Sequence, residues 1–209
     1  MLRKIALATL VSVASFSSAH AVQITIGGCA GPVAGYGQTT CVGGASVADF
    51  NGGTAVPANF SGSGAVVAGT AGAWATPAGD TSNYLAVATT QSSGAEDILL
   101  NAVDNYFGML WGSVDNYNHV YAYLNGALVG TVNGADVIAA GTSFGNRQAA
   151  GSNEYVNMSF GSGFNEIKLV TTNYNFEVDN LAFAQVPEPG SMGLLGVGLL
   201  SLLMRRRRG

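Results

Sequence analysis

The chain predicts an all-β fold, an antiparallel β-sandwich or jelly-roll-like ectodomain, on three observations. Apolar residues alternate with period two in several short runs. Gly, Asn and Ser punctuate those runs at roughly ten-residue spacing. No stretch between the two ends carries the periodicity of an amphipathic helix. Thirty glycines and only 10% charged residues would suit a disordered chain, but 48% hydrophobic residues would not. The reading is a folded, glycine-rich body with neutral polar surfaces.

In chain order, Gln23 to Ile26 reads as a first short strand and Ala45 to Phe50 as a second. Between them lie the two cysteines, Cys29 and Cys41. An exported chain favours a disulfide there, and closing so short a loop contributes about 3 kcal/mol. From Gly52 to Gly79 the composition thins to Gly, Ala, Ser and Thr. Short strands are expected near Ala55 to Phe60 and Ala65 to Val67. Fourteen aromatic residues fall between Tyr84 and Phe183 but four between Val22 and Ser82, so the later stretch supplies most of the core. Asn83 to Thr89, Tyr106 to Ser113, Glu154 to Phe160 and Ile167 to Thr172 all show strand alternation.

The clearest unit is Asn118 to Val132. Its Asn125-Gly126 pair suits a type I′ hairpin turn, which needs positive φ at both central residues. A two-residue turn sets Leu124 against Ala127, Tyr123 against Leu128 and Tyr121 against Gly130. His119, Tyr121, Tyr123 and Leu128 then share one face, and Val120, Ala122, Leu124, Ala127 and Val129 the other. In the last strand, Phe176 to Phe183, the apolar phase flips between Val178 and Leu181. A β-bulge at Asp179-Asn180 would bury Phe176, Val178, Leu181 and Phe183 together and leave Glu177 in water.

The two ends carry different signals. Arg3 and Lys4, the apolar run Ile5 to Phe16 and Ala19-His20-Ala21 make a secretory signal peptide over 1–21, with the mature start at Val22. At the other end, Val186-Pro187-Glu188-Pro189-Gly190 precedes an uncharged apolar run, Ser191 to Met204, and four arginines, Arg205 to Arg208. Two prolines one residue apart keep the chain extended and accessible. The apolar run is short for a lasting membrane helix, and arginine marks the cytoplasmic side.

This tripartite tail resembles the PEP-CTERM sorting signal on Pro187-Glu188-Pro189, the run Met192 to Met204 and Arg205, Arg206, Arg207 and Arg208. The resemblance implies recognition by exosortase, a membrane-embedded cysteine protease-transpeptidase. It implies a chain that passes signal peptidase and the secretion machinery. The C-terminal helix of 191–204 then anchors it transiently in the inner membrane before transfer to the cell surface or outside. Phe107 to Asn118 and Phe176-Glu177-Val178-Asp179-Asn180-Leu181 also look like ectodomains of exosortase-dependent surface proteins, which implies a sandwich-type fold over 22–185 and no established activity. The sorting signal occupies 186–209.

Charge and motif content narrow the chemistry. From Val22 to Pro187 only Arg147 and Lys168 are basic, against eleven acids, a net charge of minus nine. Such a body repels nucleic acid and anionic lipid. Gly141-Thr142-Ser143-Phe144-Gly145 matches the nucleophile elbow in letters. That motif needs a strand before it, a helix after it and a later histidine, whereas the sole mature histidine, His119, precedes Ser143. No carboxylate pair stands out for glycosidase work. One histidine excludes histidine-rich metal sites. Asp115, Asn116 and Asn118, or Asp179 and Asn180, offer oxygens that calcium accepts, without the twelve-residue loop spacing. No cofactor is otherwise expected.

The expected function is therefore non-enzymatic: an exported, exosortase-processed surface or extracellular matrix protein associated with exopolysaccharide in a biofilm. The alternative is a carbohydrate-binding module or adhesin, with Trp111, Asp115, Tyr121 and Tyr123 as ligand candidates. His119, Tyr121 and Tyr123 are expected to fill the sandwich core. An exposed row of these rings would favour the sugar-binding alternative.

Overall fold

The computed structural model describes residues 21–90 and 92–187. The expected signal peptide but for its last residue, Glu188, Pro189, the apolar run and the four terminal arginines lie outside the described residues. Among the described residues no helix is long and apolar enough to cross a membrane.

Strands β1 (Gln23–Ile26), β4 (Ser46–Ala48), β5 (Phe60–Gly62), β6 (Gly64–Ala68), β7 (Asn83–Val87), β8 (Gly94–Trp111), β9 (Asn118–Leu124), β10 (Ala127–Asn133), β11 (Glu154–Thr171) and β12 (Phe176–Ala184) make one antiparallel sheet. Two further short strands, β2 (Cys29–Ala30) and β3 (Gln38–Thr39), pair only with each other. The main order is β10-β9-β11-β8-β12-β7-β6, with β1 beside β11, β4 beside β12 and β5 beside β8.

The long strands β8 and β11 turn this sheet into two layers. Their pairing breaks register between Ser159 and Phe164 and again before Glu166. On one side of the break, Tyr106–Trp111 and Glu154–Ser159 lie among β1, β12, β7 and β4. On the other, Gly94–Leu99 and Glu166–Thr171 lie among β9, β10 and β5. Phe107, Met109, Trp111, Val156 and Met158 face inward from the first layer. Ile98, Ile167, Leu169, Val120 and Ala122 face inward from the second, and all join one core. The sequence separates Glu154–Phe160 from Ile167–Thr172 because Gly161-Ser162-Gly163 reads as a turn; the strand in fact runs through it. The Gly94–Asn105 half of β8 shows no alternation to read, since an acid, Glu96, takes an inward position. It is 1% exposed, and its Oε2 accepts from the Gly64 amide at 2.8 Å.

The bulge in β12 is present. Asp179 pairs with Leu110 and Ala182 with Gly108, so one residue too many lies between them, and Asn180 takes φ 49°. Phe176, Val178, Leu181 and Phe183 are all buried together. Glu177 departs from expectation: it is buried, not in water. The outer face of this layer is itself covered. The loop closed by the Cys29–Cys41 disulfide, with Cα atoms 5.2 Å apart, lies over it. Beneath that loop the Tyr106 hydroxyl meets Thr40 Oγ1 at 2.7 Å, and Asn180 Nδ2 donates to the carbonyls of Tyr36 and Gln38 at 2.7 and 3.0 Å. Ala75 donates its amide to Glu177 Oε1 at 3.0 Å from the next loop along.

The hairpin holds its expected turn, with Asn125 and Gly126 at φ 52° and 79°. Leu124 faces Ala127 and Tyr123 faces Leu128. Beyond them a bulge at Val129 shifts the register, so Gly130 faces Ala122 and Thr131 faces Tyr121, not Gly130 facing Tyr121. A short helix, α1 (Gly134–Ala139), follows where no helix was expected. Its start is held by Asp136 Oδ2, which accepts from the Asn133 amide at 2.8 Å. It is too short for periodicity to reveal.

Core and surface leucines differ accordingly. Leu181→Ala should cost about 2–5 kcal/mol, while Leu128→Ala, at a side chain 55% exposed, should stay within about 0.5 kcal/mol. Urea unfolding of the two variants beside the parent checks this, and equal losses would contradict the assignment of the β12 core.

Candidate functional site

The two outer faces of the sandwich have different fates. One lies under the disulfide loop. The other, on β10, β9, β11, β8 and β5, has no such cover among the described residues, and it carries the aromatic row. His119, Tyr121 and Tyr123 are half-buried side chains on that face, while Val120 and Ala122 between them are fully buried. This reverses the expectation that the rings fill the core. Cross-strand neighbours explain it. Val120 and Ala122 sit opposite Leu169 and Ile167, whereas Tyr121 and Tyr123 sit opposite Lys168 and Glu166. Turning the rings inward would bury those charges, at a cost greater than the rings' burial returns.

The row is bordered by polar groups held in place. Lys168 Nζ lies 2.9 Å from Asp97 Oδ1 on the neighbouring strand. Both side chains are about one-third exposed, so the pair orients more than it stabilises. The hydrogen bond to Asp97 is the first cause that holds the Lys168 ammonium above its ordinary pKa. His119 Nδ1 meets Asn133 Oδ1 at 2.8 Å. Asn133 Nδ2 donates to Asp136 Oδ2 at 3.1 Å, which turns its oxygen toward the histidine. His119 therefore donates from Nδ1 to Asn133. The His119 and Tyr121 ring centroids are 6.2 Å apart and tilted by 41°. The result is a row of rings flanked by a cation and two carboxylates.

Trp111 and Asp115 do not belong to it. Trp111 is fully buried, 4.7 Å from the Phe176 ring, and serves the core. Asp115 is buried and accepts from the Tyr117 hydroxyl at 2.5 Å; burial raises its pKa. Neither can meet a sugar ring. Asn116 is exposed while Asn118 is fully buried. Gly141–Gly145 follows α1 instead of a strand, only a single 3-10 turn at Ala150–Ser152 comes after it, and Ser143 donates its amide to the Gly151 carbonyl at 2.7 Å, so the strand–turn–helix context of the elbow is absent.

The second candidate cluster is buried. Asp179 is completely enclosed beside Asp80, with Ser82 between them. The Ser82 hydroxyl lies 2.5 Å from Asp80 Oδ1 and 3.2 Å from Asp179 Oδ2. A hydroxyl donates once, so both contacts are satisfied when Asp179 carries a proton and donates to Ser82. Burial first, then the Asp80 charge, pushes Asp179 up to about 9. Burial pushes the enclosed Glu177 up to about 7. Asn180, the other residue of the weak cation candidate, spends its side-chain nitrogen on two carbonyls, and its backbone carbonyl accepts from Tyr155 Oη at 3.0 Å. Among the described residues no group of three or more His, Cys, Asp or Glu could hold a metal.

The third feature is where the body ends. β12 stops at Ala184, Gln185 is exposed, Val186 is half-buried and Pro187 is exposed. Fold and exit together define an antiparallel β-sandwich whose last described residue, Pro187, lies exposed beyond the final strand. The model of the PEP-CTERM protein-sorting motif matches residues 185–208. The chain thus carries a PEP-CTERM sorting signal, which implies export, membrane-anchored sorting and exosortase as the processing partner. No curated protein matches the chain. No solved structure matches it either.

The buried carboxyls set a pH dependence. Folded Asp179 keeps its proton to about 9, whereas an unfolded aspartate loses it near 3.9. The folded chain binds the extra proton between those values. This contribution is therefore complete below about pH 4 and is lost as pH rises through about 9. Glu177 acts in the same sense up to about 7. Unfolding free energy should fall from pH 5 to 9, and Asp179→Asn should flatten the alkaline part of that fall. A parent protein that gains stability over this range would contradict the protonated Asp179.

Proposed function

We propose that the protein is a non-enzymatic surface or extracellular matrix protein whose body binds neutral polysaccharide through the His119–Tyr121–Tyr123 face. The sorting signal carries it out of the cell; the open face is what it does there. One observation carries the reading: the aromatic row lies on the uncovered face instead of in the core. Ring faces take the apolar side of a sugar, and the flanking Lys168, Glu166 and Asp97 supply donors and acceptors for hydroxyls. The strongly acidic body argues for a neutral polymer over an anionic one. Binding of this kind needs no cofactor, and it places the protein with secreted exopolysaccharide in a biofilm.

Binding of the purified protein to a panel of immobilised neutral and acidic polysaccharides tests this. Tyr121→Ala and Tyr123→Ala should each weaken binding about three- to tenfold, since a ring contact is worth about 0.5–1.5 kcal/mol. Thermal unfolding should barely move. No binding by the parent, or equal binding by the variants, would overturn the reading.

A further inference from the structure

The backbone ladder between β12 and β8 ends at the pair Ala184–Tyr106. Two residues past Ala184, a side chain takes over from the backbone. Val186 donates its amide to Asn105 Oδ1 at 2.7 Å, and Asn105 Nδ2 donates to the Val186 carbonyl at 2.7 Å. A carboxamide offers one acceptor and two donors at its tip, so it pairs with both polar groups of a single residue as a neighbouring strand would. Asn105 is 7% exposed, which keeps water from competing. Val186 also packs beside Tyr106, Ala182 and Ala184, with Val42 and Ala45 close by. Next to this clamp a groove of about 340 Å³ opens between Val103, Gly161–Gly163 and Gln185–Pro187.

We propose that Asn105 is a positioning residue for exosortase processing, fixing the point and direction at which the sorting signal leaves the body. This rests on the sorting reading of residues 185–208. From a pinned Val186 to the apolar run at Ser191 is five residues, at most about 17 Å. If the clamp opens, the last fixed residue is Ala184, and the leash lengthens to seven residues, about 24 Å. The clamped chain holds Pro187 just outside the body and beside the open groove, so the motif meets a membrane-embedded enzyme in few orientations. Releasing it dilutes the motif around the enzyme and loses alignment.

The test uses the full chain, pulse-labelled in a host that has exosortase, with the fraction still carrying Arg205–Arg208 followed by mass. Asn105→Ala and the near-isosteric Asn105→Asp, which sets an oxygen against the Val186 carbonyl, should slow tail removal roughly three- to tenfold. In both, the Cys29–Cys41 disulfide should still form and Val186 amide exchange should speed up. Val42→Ala, which thins the packing there but leaves the clamp, should process as the parent does. Equal processing in all four chains would overturn the proposal, as would slow processing in Val42→Ala alone. If Asn105→Ala fails to form its disulfide, Asn105→Asp decides. Retention of the tail by the parent itself would instead overturn the sorting reading.

Discussion

One extra residue in β12 organises the rest of the body. Without the bulge at Asp179-Asn180, either Leu181 and Phe183 or Phe176 and Val178 would face away from the core, forfeiting about 1.5–3 kcal/mol for each side chain. With it, all four point inward against Phe107, Met109 and Trp111. The bulge also changes the outer neighbour of β12. Phe176–Val178 pairs with β7, whereas Leu181–Phe183 pairs with β4. Asn180 holds the join, because its positive φ frees its side chain to take the carbonyls of Tyr36 and Gln38. The disulfide loop is thereby drawn over the first layer.

That cover has a cost and a consequence. Enclosing the outer face buries Glu177 and Asp179, which a half-exposed sheet would have left in water. The chain answers with a serine between two aspartates and with a proton on one of them. The consequence is a division of labour between the faces. The covered layer can be apolar or polar wherever hydrogen bonds permit. The uncovered layer must keep Glu166, Lys168 and Asp97 wet, and with them the ring row of the adjacent strand.

Much of this was legible in the residues. Period-two alternation, the Asn125-Gly126 turn and the phase flip in the last strand located the fold, the hairpin and the bulge. Each is a local signal whose physics is contained in a few residues. What was not legible depends on partners far along the chain. The β9 rings have the composition of a core, and only their pairing with Lys168 and Glu166 turns them outward. Glu177 looked solvated because the loop over it, Thr70 to Asp80, is nearly featureless in sequence. Trp111 and Asp115 looked like ligand residues, but burial assigns them to the interior. Nothing in the sequence pointed to Asn105, whose role comes from meeting a backbone segment eighty-one residues later.

At the centre of this account is a folded, disulfide-closed body that leaves the cell and gives up its tail. Non-reducing intact-mass analysis of the protein recovered from the cell surface tests that most directly. The expected species begins at Val22, lacks Arg205–Arg208 and takes up no alkylating agent at Cys29 or Cys41. A surface-exposed chain with its arginines in place and both thiols free would contradict it.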